Sequence, residues 1–491
     1  MINARSQRLL EYSAIAALML AFFGFFSVKV WDIDFWWHIA TGRHIVETHA
    51  IPGNDPFGVY QASSLRGDTI LKNYWLSQVA FFFTYDFWGS NGVIFLRAGL
   101  LALCLAATVA RNMLVGAGGI SALLVLSFAG MTMLDFTGER PQLFSFAYFS
   151  LAMLLLDYSR EKQVGWPLYL LPLLMLLWAN SHGGVVLGGA VLSLIAVGYI
   201  VEWRMFASRH YGGKWLLAVL AAAVLCTLIS PNGITTYLYL FSSQFGEGEL
   251  RSRTSEYASP VAMWHEMGKA LPFYWGFILL AVAALPKAIN KSRITPLLVI
   301  MFLGGLSLSA FRYIPFFMLY AAPYVALGLA RLAAPARLPA APLYIVLIVA
   351  ALLATGYGIR HGRAFQSGIQ ANRFPQGAVN FIHKNGLTGK MFNTMNWGGY
   401  IIWNLSPKVN VFIDGRVLDP NRITPYTNVL WMTPDGQRFF EQAGFDLVLV
   451  PHGNIFTGES YPIINYLLQN PGWRAVYRDE AGYLFTKNGA S

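Results

Sequence analysis

Charge is what this sequence has least of. Only 12% of its 491 residues are Asp, Glu, Lys or Arg, about half the share of an ordinary soluble domain. With 56% of the residues hydrophobic, a single soluble globule is excluded and the excess apolar surface has to face lipid. Cysteine is almost absent. Cys104 and Cys226 are the two present, both inside apolar runs, so neither a disulfide framework nor a cysteine metal site is available. The net charge of +11 comes from basic residues scattered between apolar runs, not gathered in one patch, which argues against a nucleic-acid partner.

What the chain does have is apolar runs long enough to cross a bilayer as helix, which takes about 20 residues. They recur from Tyr12 to Ile359 and then stop. The first run, Tyr12 to Val30, follows Arg5 and Arg8 and leads straight into Trp31-Asp32-Ile33-Asp34 with no small-residue cleavage site, the pattern of a retained signal anchor. Further spans are expected near 92–112, 117–134, 141–157, 167–180, 184–202, 215–230, 271–286, 295–310, 312–331 and 341–358, about eleven transmembrane helices with the first. With Arg5 and Arg8 inside, the inner loops hold Arg111, then Arg160 and Lys162, then Arg204, Arg209 and Lys214, then Lys287, Lys291 and Arg293, then Arg331 and Arg337. Every one is basic, as orientation by positive charge requires. The short stretch Tyr74 to Trp88, interrupted by Gln78 and Asp86, breaks this alternation if it spans, and is expected to lie at the interface or re-enter. The fold class expected is therefore an α-helical polytopic membrane domain over 1–359, followed by a soluble extracytoplasmic α/β domain over 360–491.

This orientation puts the polar motifs on one outer face. Trp31-Asp32-Ile-Asp34-Phe-Trp-Trp-His38-Ile-Ala-Thr-Gly-Arg43 follows the first helix. Its aromatics suit headgroup depth, His38 to Thr48 has the character of a surface helix, and an interfacial belt with two solvated aspartates is the plain alternative. Asp135-Phe-Thr-Gly-Glu139-Arg140-Pro-Gln142 makes a tight turn with two acids and an arginine, or simply a polar loop before a proline-started helix. Trp178-Ala-Asn-Ser-His182-Gly-Gly184 joins two spans so closely that His182 sits near headgroup depth, as a functional group or as a cap. The loop from Ser230 to Lys269 carries Glu256, and such long loops are usually functional or disordered. Arg312 and Arg97 lie at the mouths of spans, placed to bind phosphate or to snorkel. In the tail, strands are expected at Lys390–Asn393, Val409–Asp414 and Asp446–Val450. Helices are expected between them and a hairpin at Trp473–Thr486, a largely parallel α/β arrangement.

Taken together, Asp32-x-Asp34-x-Trp-Trp-His38, Arg140-Pro-Gln-Leu-Phe-Ser145, Trp178-Ala-Asn-x-His182-Gly183, Asn396-Trp-Gly-Gly-Tyr400 and Asp414-Gly-Arg416 resemble bacterial membrane glycosyltransferases of the GT-C superfamily. The aminoarabinose transferase and protein mannosyltransferase types are the similar ones. The resemblance implies transfer of a hexose or pentose from a polyprenyl-phosphate carrier, with inversion, to a glycan, lipid or protein acceptor outside the bacterial inner membrane. An aspartate of the first outer loop would be the catalytic base, Asp34 ahead of Asp32. The second acid maps to Asp135 or Glu139, with Glu256 more remote, and a divalent metal stays open.

Chemistry points the same way: inverting transfer needs a carboxylate to take the acceptor proton, and a phosphate leaving group needs positive charge. Arg312 is the first choice for that charge, followed by Arg140 and Arg97, with His182, His38 and Arg43 also candidates for substrate binding. Asp34 and Arg312 are expected to share one outer cavity. The rivals are a lipid-diphosphate polysaccharide polymerase or ligase, a glycolipid flippase or transporter, and a non-catalytic scaffold. The transporter is disfavoured by the lack of an internal repeat and by charges gathered at one face.

Overall fold

A computed structural model of the chain describes residues 3–61, 64–206, 213–245, 255–264, 271–289, 294–334, 340–454 and 457–489. Arg209, Lys291, Arg293 and Arg337 of the basic loops, and parts of the loop expected at 230–269, lie outside them. The backbone divides into two compact units, one of residues 1–29 and 90–367 and the other of residues 30–89 and 368–491. The segment after the first helix thus groups with the C-terminal residues.

The first unit is helical, and helix occupies every apolar stretch expected to span. Among the described residues, six helices are long and apolar enough to cross a membrane: Arg5–Phe26, Trp75–Leu114, Val185–Met205, Leu271–Ala288, Phe311–Ala333 and Ala340–Arg360. Shorter apolar helices lie at Ile120–Phe136, Trp166–Ser181, Lys214–Cys226 and Ile294–Ser309. The chain is a multi-pass membrane protein. Helix Ile314–Ala333 is central, with every residue from Ile314 to Gly328 buried, and it packs on Leu271–Ala288 and Ile120–Met133. Small residues allow this. A side chain at Gly328 would overlap the backbone of Ala284, the close approach that drives helix association in lipid. The basic residue Arg111 is fully buried, bonding Asp157 (2.7 Å) and the carbonyls of Leu319 (2.6 Å) and Tyr320 (3.2 Å), so it ties helices together.

Helix Trp75–Leu114 is broken at Gly89, whose φ of 61° and ψ of −155° lie in a region open essentially to glycine alone. The two units divide at this residue, which separates the short stretch before it from the apolar run after it.

The second unit holds a five-stranded sheet of β1 (Gly389–Asn393), β2 (Val409–Val411), β3 (Leu447–Pro451), β4 (Trp473–Arg478) and β5 (Gly482–Lys487) in the order β2-β1-β3-β5-β4. β1 runs parallel to β2 and β3, and the β4–β5 hairpin adds antiparallel. Buried Phe392, Val448, Val450, Ile463 and Phe485 form its core. Residues 57–59 line the open edge of β2 through Val59 N–H to Val411 O (2.9 Å) and Val411 N–H to Phe57 O (3.1 Å).

Helix Phe35–Thr48 is not the surface helix expected: Phe35 to Gly42 are all buried. Trp36 meets Phe374 and Tyr400 edge-on at centroid distances of 5.4 and 4.9 Å. The aromatic run fits headgroup depth by composition, but a packed protein partner for these rings buries more of their area.

Candidate active-site residues

In the second unit, the Asp-x-Asp pair splits into two different groups. Asp32 is 2% exposed and its Oδ1 accepts the backbone N–H of Asp34 at 2.9 Å, so it fixes the turn. Asp34 is half-buried at the N-cap of helix Phe35–Thr48, where the helix dipole favours a carboxylate, and its Oδ1 accepts the indole N–H of Trp37 at 3.1 Å. Against it lies Gly415, where a Cβ would overlap the Asp34 carboxylate. Glycine at 415 is what lets the backbone come so close.

The residue after Gly415 is clamped. Arg416 donates Nε and Nη2 to Asp414 at 2.8 and 2.7 Å, and Nη1 and Nη2 to Asp55 at 2.8 and 3.1 Å. All three residues are buried. Burial works against the Arg416 charge, but the two carboxylates outweigh it and raise its pKa. His38 is 3% exposed, with Nδ1 3.4 Å from Gln78 Nε2 and its ring against Trp37. Arg43 donates to Trp403 O at 3.1 Å and lies over that ring at 4.4 Å. Both are packed within the second unit.

In the first unit, several helix ends converge. Glu139 and Arg97 form an ion pair with both side chains 0% exposed. Arg97 also donates to Phe26 O (3.0 Å), Thr137 O (3.1 Å) and Val28 O. These two candidates, one for acid chemistry and one for phosphate, therefore satisfy each other inside the protein. Asp135 lies on the short turn Leu134–Phe136, half-buried. Arg140 pairs with Glu256, each about 30% exposed. The turn Phe311–Tyr313 meets Ser255–Tyr257, with Phe311 N–H on Ala258 O at 2.9 Å. Phe136 stacks on Phe311 at 4.7 Å. The Arg312 guanidinium sits 4.8 Å over Tyr257 and 5.9 Å from Tyr313, faces that suit a cation. His182 Nδ1 is 2.7 Å from Ser145 Oγ and 2.9 Å from Gly184 N. Burial first, and then the Arg312 charge, lowers its pKa to about 3, so the ring is neutral.

The pairing of Asp55 with Arg416 escapes sequence reasoning. Asp55 has no motif around it, and Arg416 carries only the family likeness of Asp-Gly-Arg. Their pairing spans 361 residues. Among the described residues no group of three or more His, Cys, Asp or Glu side chains is placed to hold a metal ion.

No protein-family model matches the sequence. No curated protein matches it either. Solved structures do match the fold. The Archaeoglobus fulgidus oligosaccharyltransferase is similar at a TM-score of 0.57 and 9% identity, over 91% of this chain and 69% of that one. ArnT from Cupriavidus metallidurans in the apo state is similar at 0.54 and 12%, over 98% of both chains. The mycobacterial arabinofuranosyltransferase AftD is similar at 0.53 and 14%, over 98% of this chain and 40% of that one. At such identities the likeness is one of fold, shared with these three transferases.

Proposed function

We propose that this protein is an inverting membrane glycosyltransferase. It moves a sugar from a polyprenyl-phosphate carrier to an acceptor at the outer face of the bacterial inner membrane, with its N-terminus cytoplasmic. The observation that carries the reading is the division of labour in Asp32-x-Asp34. Asp32 is consumed by the turn, whereas Asp34 is the half-buried carboxylate at a helix N-terminus. Asp34 takes the proton of the acceptor hydroxyl, the hydroxyl oxygen bonds the anomeric carbon from the face opposite the carrier, and the phosphate leaves with the electron pair of the broken bond. Arg312 meets the charge that develops on that phosphate. The fold supports this: C. metallidurans ArnT has been crystallised bound to undecaprenyl phosphate, and the A. fulgidus AglB has been determined with dolichol-phosphate.

The test uses purified protein and lipid-linked sugars, offered as monophosphates and as diphosphates. Asp34→Asn keeps the shape and removes the charge, so turnover falls by at least about 100-fold with donor binding retained. Arg312→Ala weakens donor binding, and Arg312→Lys recovers part of it because an ammonium cannot grip two oxygens in one plane. Wild-type transfer by Asp34→Asn rules out the base, and transfer from diphosphate donors alone shifts the reading to a polymerase or ligase.

A further inference from the structure

Hydrogen-bond accounting around His182 settles where its proton resides. The indole N–H of Trp178 can only donate, and it does so to Ser145 Oγ at 2.7 Å. The Ser145 hydroxyl hydrogen is then available for His182 Nδ1, also at 2.7 Å. A backbone N–H, that of Gly184, points at the same Nδ1 from 2.9 Å, and it too can only donate. Nδ1 is therefore an acceptor, and a neutral imidazole must carry its hydrogen on Nε2. An imidazolium would set an Nδ1 hydrogen against the Gly184 N–H. Trp178 and Ser145 are both 0% exposed, so water does not compete for these bonds. Space is fixed as well, since a Cβ at Gly184 would lie 2.6 Å from Ser145 Oγ and 2.8 Å from His182 Nδ1. The glycine keeps its N–H and the serine within reach of one nitrogen.

We infer that Trp178 and Ser145 are positioning residues that hold His182 as a neutral Nε2–H donor for the phosphate of the lipid carrier, beside Arg312. This rests on the glycosyltransferase reading for the identity of the anion. The arrangement gives the phosphate one directional neutral donor and one charged donor. Because the imidazole cannot readily take a second proton, the donor keeps its form when the outside turns acidic.

Two measurements on the full-length protein in nanodiscs test this. The first is nitrogen NMR of 15N-histidine-labelled, ligand-free protein at pH 6, with His182 assigned among the nine histidines by its loss in His182→Gln. An unprotonated Nδ1 and a protonated Nε2 are expected, and Ser145→Ala, which leaves the Gly184 N–H as the donor to Nδ1, should move the Nδ1 resonance downfield without changing the tautomer. An imidazolium, or hydrogen on Nδ1, overturns the inference whatever the enzyme does.

The second is binding of undecaprenyl phosphate, with inorganic phosphate as a separate probe. The glutamine amide nitrogen replaces Nε2 and the asparagine amide nitrogen does not. His182→Gln should therefore bind within about threefold of wild type, and His182→Asn about 10- to 100-fold more weakly. Equal binding by both variants overturns the donor role, and the same pattern for inorganic phosphate without lipid binding overturns the carrier as ligand. If both measurements come out as expected but no lipid-linked sugar is transferred, the glycosyltransferase reading fails and the phosphate donor stands.

Discussion

Glu139 is the most deeply buried of the candidate acids, and a single isosteric substitution measures its role. Glu139→Gln keeps the shape and an oxygen acceptor but removes the charge that Glu139 sets against the Arg97 guanidinium where both side chains are 0% exposed. Removing one partner of a buried pair costs about 3–5 kcal/mol. Here Arg97 keeps the carbonyls of Phe26, Val28 and Thr137, which places the expected loss near the lower end, about 3 kcal/mol. At about 1.4 kcal/mol per factor of ten, the ratio of unfolded to folded protein rises roughly 100-fold. Tryptophan fluorescence through a denaturing-detergent titration reads this directly. The Arg140–Glu256 pair is an internal control: with each side chain about 30% exposed, Glu256→Gln should cost no more than about 1 kcal/mol. A Glu139→Gln protein as stable as wild type but unable to transfer sugar would refute the structural role and return Glu139 to the chemistry.

Gly415→Ala should leave the fold intact, because the flexible Asp34 carboxylate can swing away from the new methyl, yet lower turnover as Asp34→Asn does; unchanged turnover would remove Asp34 from the site. For His182, the ordinary pKa is 6.5 and the folded value about 3, so between these the unfolded chain binds the extra proton. Its contribution is complete above pH 6.5 and is lost as pH falls, by up to about 1.4 kcal/mol per unit. His182→Gln should flatten that slope, and an equally steep slope would place the acid sensitivity elsewhere. A cysteine at Ser460, in protein with Cys104 and Cys226 replaced, should react with an impermeant thiol reagent in intact spheroplasts. Labelling only after lysis reverses the orientation.

The helices were legible because hydropathy over some 20 residues is a local property, and each expected apolar stretch is helical. The tail was nearly as readable. β1 and β3 fall within a residue of the expected strands, and the hairpin expected at Trp473–Thr486 forms with its turn between Arg478 and Gly482. Helices Ile423–Leu430 and Pro462–Gln469 were missed, being short and amphipathic with no capping signal strong enough to stand out. Of the candidate site residues, Asp34 and Arg312 stood out by their motifs. Their surroundings did not, because burial is a tertiary property. Arg97 resembled Arg312 in depth along a helix, yet only packing shows it enclosed by Glu139 and three carbonyls. Likewise His38 and Arg43 read as polar groups on a surface helix until Gln78 and Trp403 are seen against them.

The clamp on Arg416 also sets a clock. Asp55 and Arg416 are 361 residues apart in the chain, and synthesis at about 5–20 residues per second separates their appearance by roughly 20 to 70 seconds. For that time the early segment carries carboxylates and aromatic rings whose partners have not been made. Val59 and Val411, Trp36 and Tyr400, and Gly399 and Trp37 all wait for the same late stretch. Closure of these contacts therefore reports that translation has passed Arg416, and a chain cut short before Arg416 leaves residues 30–89 open to proteases and chaperones.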